Sequence, residues 1–363
     1  MTNCGVQSIG INCPMFKEGD NLIDIVVEQV LDTFKVVDEN GCVKSFDIND
    51  NDIIGVTESV VARTSGTYLT IVDLVEEIKE KCPTQKVILL NPIYSRNRFA
   101  MILEAFAAAC NKIWIVMPEY DEVGNPRGLN PNTGVNIMDY YAEICNANNC
   151  ECVIIDDITT LLNVENNSEL QDTYTVWCAL RPKRNLELND KIYTLKDFGQ
   201  NVNLNYGLLG SNKANETTLK LFPTVQLSMT TCYGIQRKIK ELTGKHVEVM
   251  IYGDGCFKDA TSGIWEFADP DVSPFYTEGL DGSPNEIKAK YFIDGKFANL
   301  SGEELNTAVK NEIKNKKSDL VGNMASQGTT PRKIVNLLAS LMDLTSGSGD
   351  RCTPVVVVKN YLQ

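Results

Sequence analysis

Three short and almost purely apolar segments most constrain how this 363-residue chain can fold. They are Val87–Leu90, Ile113–Met117 and Cys152–Ile155, and helical patterns over Arg98–Ala109 and Asn136–Ala147 lie between them. Strands that are apolar throughout are typical of parallel sheets covered on both faces, with the intervening helices as crossovers. The sequence therefore predicts a doubly wound parallel α/β unit inside a mixed α+β protein. No G-x-G-x-x-G follows these strands, so the unit carries no dinucleotide fingerprint.

The rest of the chain also alternates between helical and strand patterns. The β-branched residues of Ile53–Ala62 predict a strand. An amphipathic pattern predicts a helix over Leu69–Lys81, and a longer helix is expected over Thr224–Thr243. Val247–Tyr252 and Pro354–Lys359 are further predicted strands.

Charge and cysteine content narrow the function classes. The formal net charge of −14 gives no general attraction to nucleic acid or anionic membranes, since phosphate binding depends on Lys and Arg. No apolar run approaches the ~20 residues of a membrane span. The first residues, Met1 to Cys13, lack the pattern of a signal peptide, so we expect a cytoplasmic protein whose 12 cysteines are mostly reduced and buried.

Metal sites built on histidine or cysteine are disfavoured. The single histidine, His246, precedes a predicted strand, and we expect it to be structural rather than catalytic. Cys145, Cys150 and Cys152 are close in sequence but lack the paired spacing of a zinc site.

The first candidate site segment is Gly55–Gly66, where an apolar strand runs into polar side chains. A guanidinium such as that of Arg63 can clamp a phosphate with its planar fork, although arginine serves surface ion pairs as readily. The candidate residues of this segment are Thr57, Glu58, Ser59 and Arg63.

Three further segments combine glycine with polar residues. Tyr206–Lys213 suits a turn that offers backbone N–H groups to an anion, or a plain loop. In Ile251–Cys256, a carboxylate between glycines after a strand suits a metal ligand, although Asp-Gly is also common in turns. Ser346–Asp350 is a Gly/Ser loop that could cradle phosphates or merely link elements, and no Walker A motif is present. The candidate residues are Ser211, Asn212, Asp254, Gly347, Ser348, Gly349 and Asp350.

Taken in order, these segments resemble the coenzyme F420-0:L-glutamate ligase family. Thr57–Gly66, Gly207–Asn212, Val249–Gly255 and Ser346–Val358 are similar to family motifs. Pro14–Leu22 resembles the family's opening turn, and Tyr276–Lys288 looks like longer bacterial members. The middle of the chain does not resemble the family. We therefore expect a γ-glutamyl ligase-like core, residues 1–85 and 157–363, with an inserted α/β unit, residues 86–156.

The chain departs from the family motifs at several positions. The aspartate of the Gly-x-Asp-x-Ser-Asn motif falls on Leu209, which cannot bind a metal. The Ser-Lys pair falls on Ala62-Arg63, and the glutamate that follows falls on Ser65. Asp254 matches the family's Asp-Thr carboxylate only if the alignment shifts by one residue.

The resemblance implies a GTP-dependent ligase that adds L-glutamate to a carboxylate acceptor through an acyl phosphate. It implies Mg²⁺ or Mn²⁺ as cofactor, GTP as co-substrate and a homodimer. Arg63 and Asp254 would be catalytic, with Asp254 on the metal and Glu58 or Asp350 as helpers. The nucleotide would be held by Thr57, Glu58, Ser59, Arg63, Ser211, Asn212, Gly347, Ser348, Gly349 and Asp350.

Two alternatives stay open at this point. The chain could be a degenerate family member that binds a nucleotide or metabolite without ligating anything, for which Leu209 is the main argument. It could also be an oxidoreductase or transferase that uses the parallel α/β unit, against which the missing glycine fingerprint counts.

Overall fold

The computed structural model describes most of the chain. The described residues are 5–92, 94, 98–121, 124–131, 134–157, 170, 172–178, 191–253, 256–258, 265–267, 272–282, 289–314, 333–346 and 352–362. Asp254 and the loop 347–350 lie outside these residues.

The strands and helices are numbered here in chain order. The strands are β1 (Gln7–Ile11), β2 (Lys35–Val37), β3 (Val43–Phe46), β4 (Ile53–Thr57), β5 (Tyr68–Thr70), β6 (Lys86–Leu90), β7 (Lys112–Val116), β8 (Glu151–Ile155), β9 (Tyr174–Trp177), β10 (Ile192–Thr194), β11 (Asn212–Asn215), β12 (Thr218–Lys220), β13 (Glu248–Tyr252), β14 (Cys256–Lys258), β15 (Trp265–Phe267), β16 (Phe275–Tyr276) and β17 (Val355–Lys359). The helices are α1 (Leu22–Thr33), α2 (Glu58–Thr64), α3 (Ile71–Lys81), α4 (Arg98–Ala109), α5 (Ile137–Ala147), α6 (Val225–Thr243), α7 (Ala289–Asp294), α8 (Gly302–Lys314) and α9 (Ile334–Ser346).

A mixed sheet forms the centre of the first layered unit, in the order β1-β17-β4-β13-β16. Strands β4 and β13 run parallel, whereas β17 is antiparallel to both β4 and β1. Successive strand residues point to opposite faces of the sheet. Those on one face form an apolar cluster with helices α1 and α6, and those on the other face form a second cluster with α9. The parallel neighbours β4 and β13 therefore end at the same edge of a buried sheet.

The predicted parallel sheet is confirmed. Strands β6, β7 and β8 pair in parallel, and β9 and β10 extend the sheet in the order β10-β9-β6-β7-β8. Helices α3, α4 and α5 contribute to one large core with Val87, Leu89 and Val176 of the sheet. On the other face, Ile88, Leu90 and Trp114 form a smaller buried cluster. The chain is thus a mixed α/β protein with a parallel sheet, as the sequence predicts.

The parallel sheet extends beyond residue 156, because β9 and β10 belong to it. Its core also takes in Leu69 and Leu74 before β6, and Leu219 and Leu221 after β10. The extent of this sheet and its core is therefore larger than the predicted insertion, residues 86–156. Those boundaries refer to the family's sequence, and they stay a prediction. A small antiparallel sheet, in the order β11-β12-β5, lies beside this core.

The predicted strand over Ile53–Ala62 is wrong in its second half. Strand β4 ends at Thr57, and α2 begins at Glu58. The helix buries Val60, Val61 and Ala62 together, which a two-residue alternation could not do. Tertiary packing therefore overrides the strand preference of the β-branched valines.

The described cysteines are free thiols, and most of them are buried or half-buried. Burial raises the pKa of the Cys82 thiol to about 12, which keeps it protonated and unreactive at neutral pH. Cys42 and Cys352 are exposed. Within the described residues, no helix is long and apolar enough to cross a membrane.

We expect Cys42 and Cys352 to react much faster with an aromatic disulfide reagent than the buried Cys82, because the thiolate is the nucleophile and access decides the rate. The measurement is the absorbance time course on the native protein at pH 8. The double variant Cys42→Ser/Cys352→Ser should lose amplitude from the fast phase, whereas Cys82→Ser should lose amplitude only after denaturation. A fast phase that Cys82→Ser diminishes would contradict this expectation.

Candidate functional site

The carboxyl ends of β4 and β13 meet at one edge of the mixed sheet, where Tyr252 pairs with Thr57. The amino end of the antiparallel strand β17 lies at the same edge. There the Pro354 carbonyl oxygen accepts a hydrogen bond from the Thr57 N–H at 3.0 Å and from the Tyr252 hydroxyl at 3.4 Å. The ends of β4, β13 and β17 are therefore tied together, and Thr57 of the first candidate segment and Tyr252 of the third lie side by side at this edge.

The described residues on either side of the Gly/Ser segment lie beside this edge. The Thr353 hydroxyl donates to the Ser346 carbonyl oxygen at 2.7 Å, which holds these two residues together. Gly253, which precedes Asp254 in the chain, follows β13 and donates its N–H to the Val272 carbonyl oxygen at 3.0 Å. Asp254 and residues 347–350 themselves lie outside the described residues, so their predicted roles stay predictions.

A buried ion pair stands at the start of α2, immediately beyond β4. The Lys220 ammonium lies 3.5 Å from Glu58 Oε1 and donates to Ser59 Oγ at 2.6 Å. The side chains of Lys220 and Glu58 are only 11% and 8% exposed. A buried ammonium needs charged and hydrogen-bonded partners, and this one has both. The pair places a cation beside the hydroxyls of the first predicted segment.

Sequence reasoning missed Lys220. It is the last residue of β12 and stands in an apolar run with Leu219, Leu221 and Phe222, all of them buried. A lysine inside such a run is a usable signal, because lysine is almost never buried without a partner.

Lys220 also connects the candidate segment Tyr206–Lys213 to the candidate segment Gly55–Gly66. Asn212 of β11 pairs directly with Lys220 of β12. The neighbouring Ser211 is fully buried, and its hydroxyl has no hydrogen-bond partner among the described residues. The structure therefore brings Ser211 and Asn212 towards Glu58 and Ser59 through one short β-ladder.

Two residues at family motif positions, Leu209 and Arg63, do not lie beside Lys220. Leu209, at the motif's aspartate position, packs against the large core of the parallel unit. Arg63 is exposed and belongs to the last turn of α2, five residues or about 7.5 Å along the helix from Glu58. Next to it, the Gly19 N–H donates to the Thr64 carbonyl oxygen at 2.9 Å, which joins the opening turn to the end of α2. Arg63 is thus on the rim rather than beside Lys220.

His246 lies at the opposite edge of the mixed sheet, just before β13 begins. Its side chain is about half exposed, and Nε2 is 3.2 Å from Glu248 Oε1. Because β4 and β13 are parallel, the amino end of β13 is remote from Thr57 by the length of the strand. The histidine is therefore not part of the edge that holds Lys220.

The chain matches a known family over nearly its whole length. A model of the family described as F420-0:gamma-glutamyl ligase matches residues 10–360. The chain belongs to this family. The resemblance drawn from the short motifs is thereby confirmed, and the family indicates an F420-0:gamma-glutamyl ligase-like enzyme with small-molecule substrates such as glutamate. No curated protein matches the chain significantly.

For a member of the F420-0:gamma-glutamyl ligase family, the described residues carry few metal donors. They contain no group of three or more His, Cys, Asp or Glu side chains arranged for a metal ion. The cysteines Cys145, Cys150 and Cys152 are included in that search. At the β4 edge the described carboxylate is that of Glu58, which lies against Lys220.

Proposed function

We propose that the protein is a nucleotide-dependent amide ligase that joins L-glutamate to a carboxylate acceptor through an acyl phosphate. The observation that carries the proposal is the buried Lys220, held between Glu58 and Ser59 at the edge where β4, β13 and β17 meet. In a chain with a net charge of −14, an anionic substrate needs such a local cation.

The proposed reaction makes an amide from an unreactive carboxylate. An acceptor carboxylate oxygen attacks the γ-phosphorus of GTP, and the bond to the nucleoside diphosphate breaks. The amine of L-glutamate then attacks the acyl carbon, loses a proton, and expels inorganic phosphate as the amide forms. Phosphorylation matters because phosphate is a far better leaving group than oxide.

In this proposal the chain's own residues bind and orient the phosphates. Lys220 offsets their negative charge, and the hydroxyls of Ser59 and Ser211 donate hydrogen bonds. Ser211 suits this role because its buried hydroxyl has no partner among the described residues. Thr57, Glu58 and Asn212 line the same region, Arg63 serves from the rim, and the backbone of Gly347–Gly349 with Asp350 completes the phosphate cradle.

The metal belongs to the same proposal. Mg²⁺ or Mn²⁺ would offset charge between the phosphates. The described carboxylate Glu58 lies against Lys220, so the described residues alone do not make a metal site. We propose Asp254 as the metal ligand, with Asp350 beside it. We also propose a cytoplasmic homodimer, by analogy with the family.

A second candidate function is nucleotide or metabolite binding without ligation. It is favoured by Leu209, since a leucine that packs into the core replaces the family's aspartate. Nucleotide binding without phosphate release in the presence of glutamate and carboxylate acceptors would support it over the ligase.

The test is calorimetric titration with GTP and ATP, each with and without Mg²⁺ or Mn²⁺, on the wild type and Ser211→Ala. We expect metal-dependent GTP binding, weakened about 10- to 100-fold by Ser211→Ala, because a hydrogen bond to a charged group contributes roughly 1.5–3 kcal/mol. The variant should unfold no more easily than the wild type, since it loses a buried hydroxyl without a partner among the described residues.

Ser228 is the matched control. It is also fully buried, but its hydroxyl donates to the Thr224 carbonyl oxygen at 2.9 Å. Ser228→Ala should lower stability and leave the GTP affinity unchanged. Failure of the wild type to bind either nucleotide would refute the ligase proposal.

A further inference from the structure

The parallel sheet reverses its winding direction at β6. From β6 the chain passes to β7 and β8 on one side, and then returns to β9 and β10 on the other side. The carboxyl ends of β6 and β9 are therefore a topological switch point, because the strand that follows β6 lies on one side and the strand that follows β9 lies on the other. In open α/β sheets such a point opens a crevice in which small molecules bind.

Asn91 stands at this point, directly after β6. Its backbone N–H donates to the Val116 carbonyl oxygen at 3.2 Å, so the residue continues the strand ladder. The residue is 1% exposed, yet neither the nitrogen nor the oxygen of its side-chain amide has a hydrogen-bond partner among the described residues. Burying a whole amide in this way is unfavourable, and native proteins seldom do so without a bound group.

A neighbouring buried polar group, the carboxylate of Asp121, is satisfied, in contrast to the amide of Asn91. The buried carboxylate of Asp121 accepts hydrogen bonds from the Tyr94 N–H at 3.1 Å and from the Asn125 N–H at 2.7 Å. It also accepts from Asn125 Nδ2 at 2.8 Å. These contacts hold the residues after β6 against the loop after β7. The segment after β6 is thus held in place close to Asn91 by hydrogen bonds that do not use the Asn91 amide.

Strand β9 lies beside β6 and brings Cys178 next to Asn91. Leu90 pairs with Trp177, and the Cys178 N–H donates to the Leu90 carbonyl oxygen at 2.9 Å. Asn91 and Cys178 therefore follow side by side from β6 and β9. Cys178 packs against the helix-covered core, so an apolar surface adjoins the amide.

We propose that the switch point around Asn91 is a second small-molecule site, separate from the edge that holds Lys220. Its ligand presents a hydrogen-bond donor beside an acceptor on a neutral planar group, as a nucleobase, a lactam or a primary amide does. The side-chain amide of Asn91 offers the complementary acceptor and donor. Arg127, from the loop after β7, pairs with Asp156 after β8, which favours a neutral group over a phosphate.

The experiment uses the full-length protein with uridine, adenosine and nicotinamide as millimolar probes in saturation-transfer NMR and calorimetry. At least one probe is expected to bind the wild type, and Asn91→Leu should weaken that probe at least tenfold. Lys213→Met should leave the affinity of the same probe unchanged, because it breaks only the exposed pair of Lys213 with Glu216 on a different sheet. Binding of no probe overturns the proposal, as does equal binding by Asn91→Leu.

Thermal unfolding separates a ligand site from an ordered water. Asn91→Leu should melt at or above the wild-type temperature, since it removes an unsatisfied buried amide. Asn203 is the matched control, because it is fully buried and its side-chain nitrogen donates to the Phe222 carbonyl oxygen at 2.5 Å. Asn203→Leu should melt lower. A lower melting temperature for Asn91→Leu without probe binding to the wild type means that water alone satisfies the amide, and overturns the proposal.

Discussion

Replacing Lys220 with methionine is expected to lower the free energy of unfolding by about 3 kcal/mol and to abolish detectable nucleotide binding. The carboxylate of Glu58 would remain buried without its lysine, and removing one partner of a buried ion pair costs about 3–5 kcal/mol. The phosphates would lose the cation proposed to hold them. Urea denaturation and calorimetric titration measure the two effects on the same preparation.

Two controls separate these effects. The double variant Glu58→Gln/Lys220→Met should regain most of the lost stability, because no uncompensated charge is buried, but it should not regain nucleotide binding. Lys213→Met breaks the Lys213–Glu216 pair, whose members are 36% and 87% exposed, and should change stability by less than about 1 kcal/mol. A Lys220→Met protein with wild-type stability and GTP affinity would exclude the lysine from the site.

Replacing Gly207 with alanine is expected to destabilise the protein by about 4 kcal/mol or to prevent its accumulation. Gly207 has φ +56°, and a Cβ there would lie 2.5 Å from the Phe198 carbonyl oxygen and closer still to that of Lys196. The left-handed conformation alone costs about 1–2 kcal/mol, and rigid backbone atoms cannot move aside as a flexible side chain can. Because this turn leads into Ser211, GTP affinity should fall with stability.

Gly244 provides the comparison. It closes α6 with φ +73°, and nothing lies within 4 Å of where its Cβ would stand. Gly244→Ala should therefore cost only the conformational part, about 1–2 kcal/mol, without any effect on nucleotide binding. Equal losses in the two variants, measured by urea denaturation, would show that the close approach of the backbone at Gly207 is unimportant.

The sequence predicts the parallel sheet well because its strands are buried on both faces, so their residues are apolar without alternation. The helix α2 could not be predicted in the same way. Val60 and Val61 favour a strand locally, and only packing against the other elements selects the helix. In the parallel sheet, the local preference for a strand agrees with the pattern of burial. In α2, the local preference for a strand conflicts with it.

The site shows the same division. Ser59, Ser211 and Asn212 could be chosen from the sequence because hydroxyls and amides beside glycines suit anion binding. Lys220 escaped because it has no motif around it. Its position beside the candidate residues depends on the pairing of β12 with β11 and on its contact with Glu58, which a linear sequence does not reveal.

The pairing of β1 with β17 has a consequence for biosynthesis. Residues 7–11 lie against residues 355–359, and β17 also separates β1 from β4. The ribosome delivers the whole of β6 to β10 before it delivers β17, so the parallel sheet has all its strands while the mixed sheet still lacks a central one. Until then the apolar residues of β1 and β4 have no strand between them. The edge that holds Lys220 can therefore be completed only once β17 has been synthesised and has paired with β4.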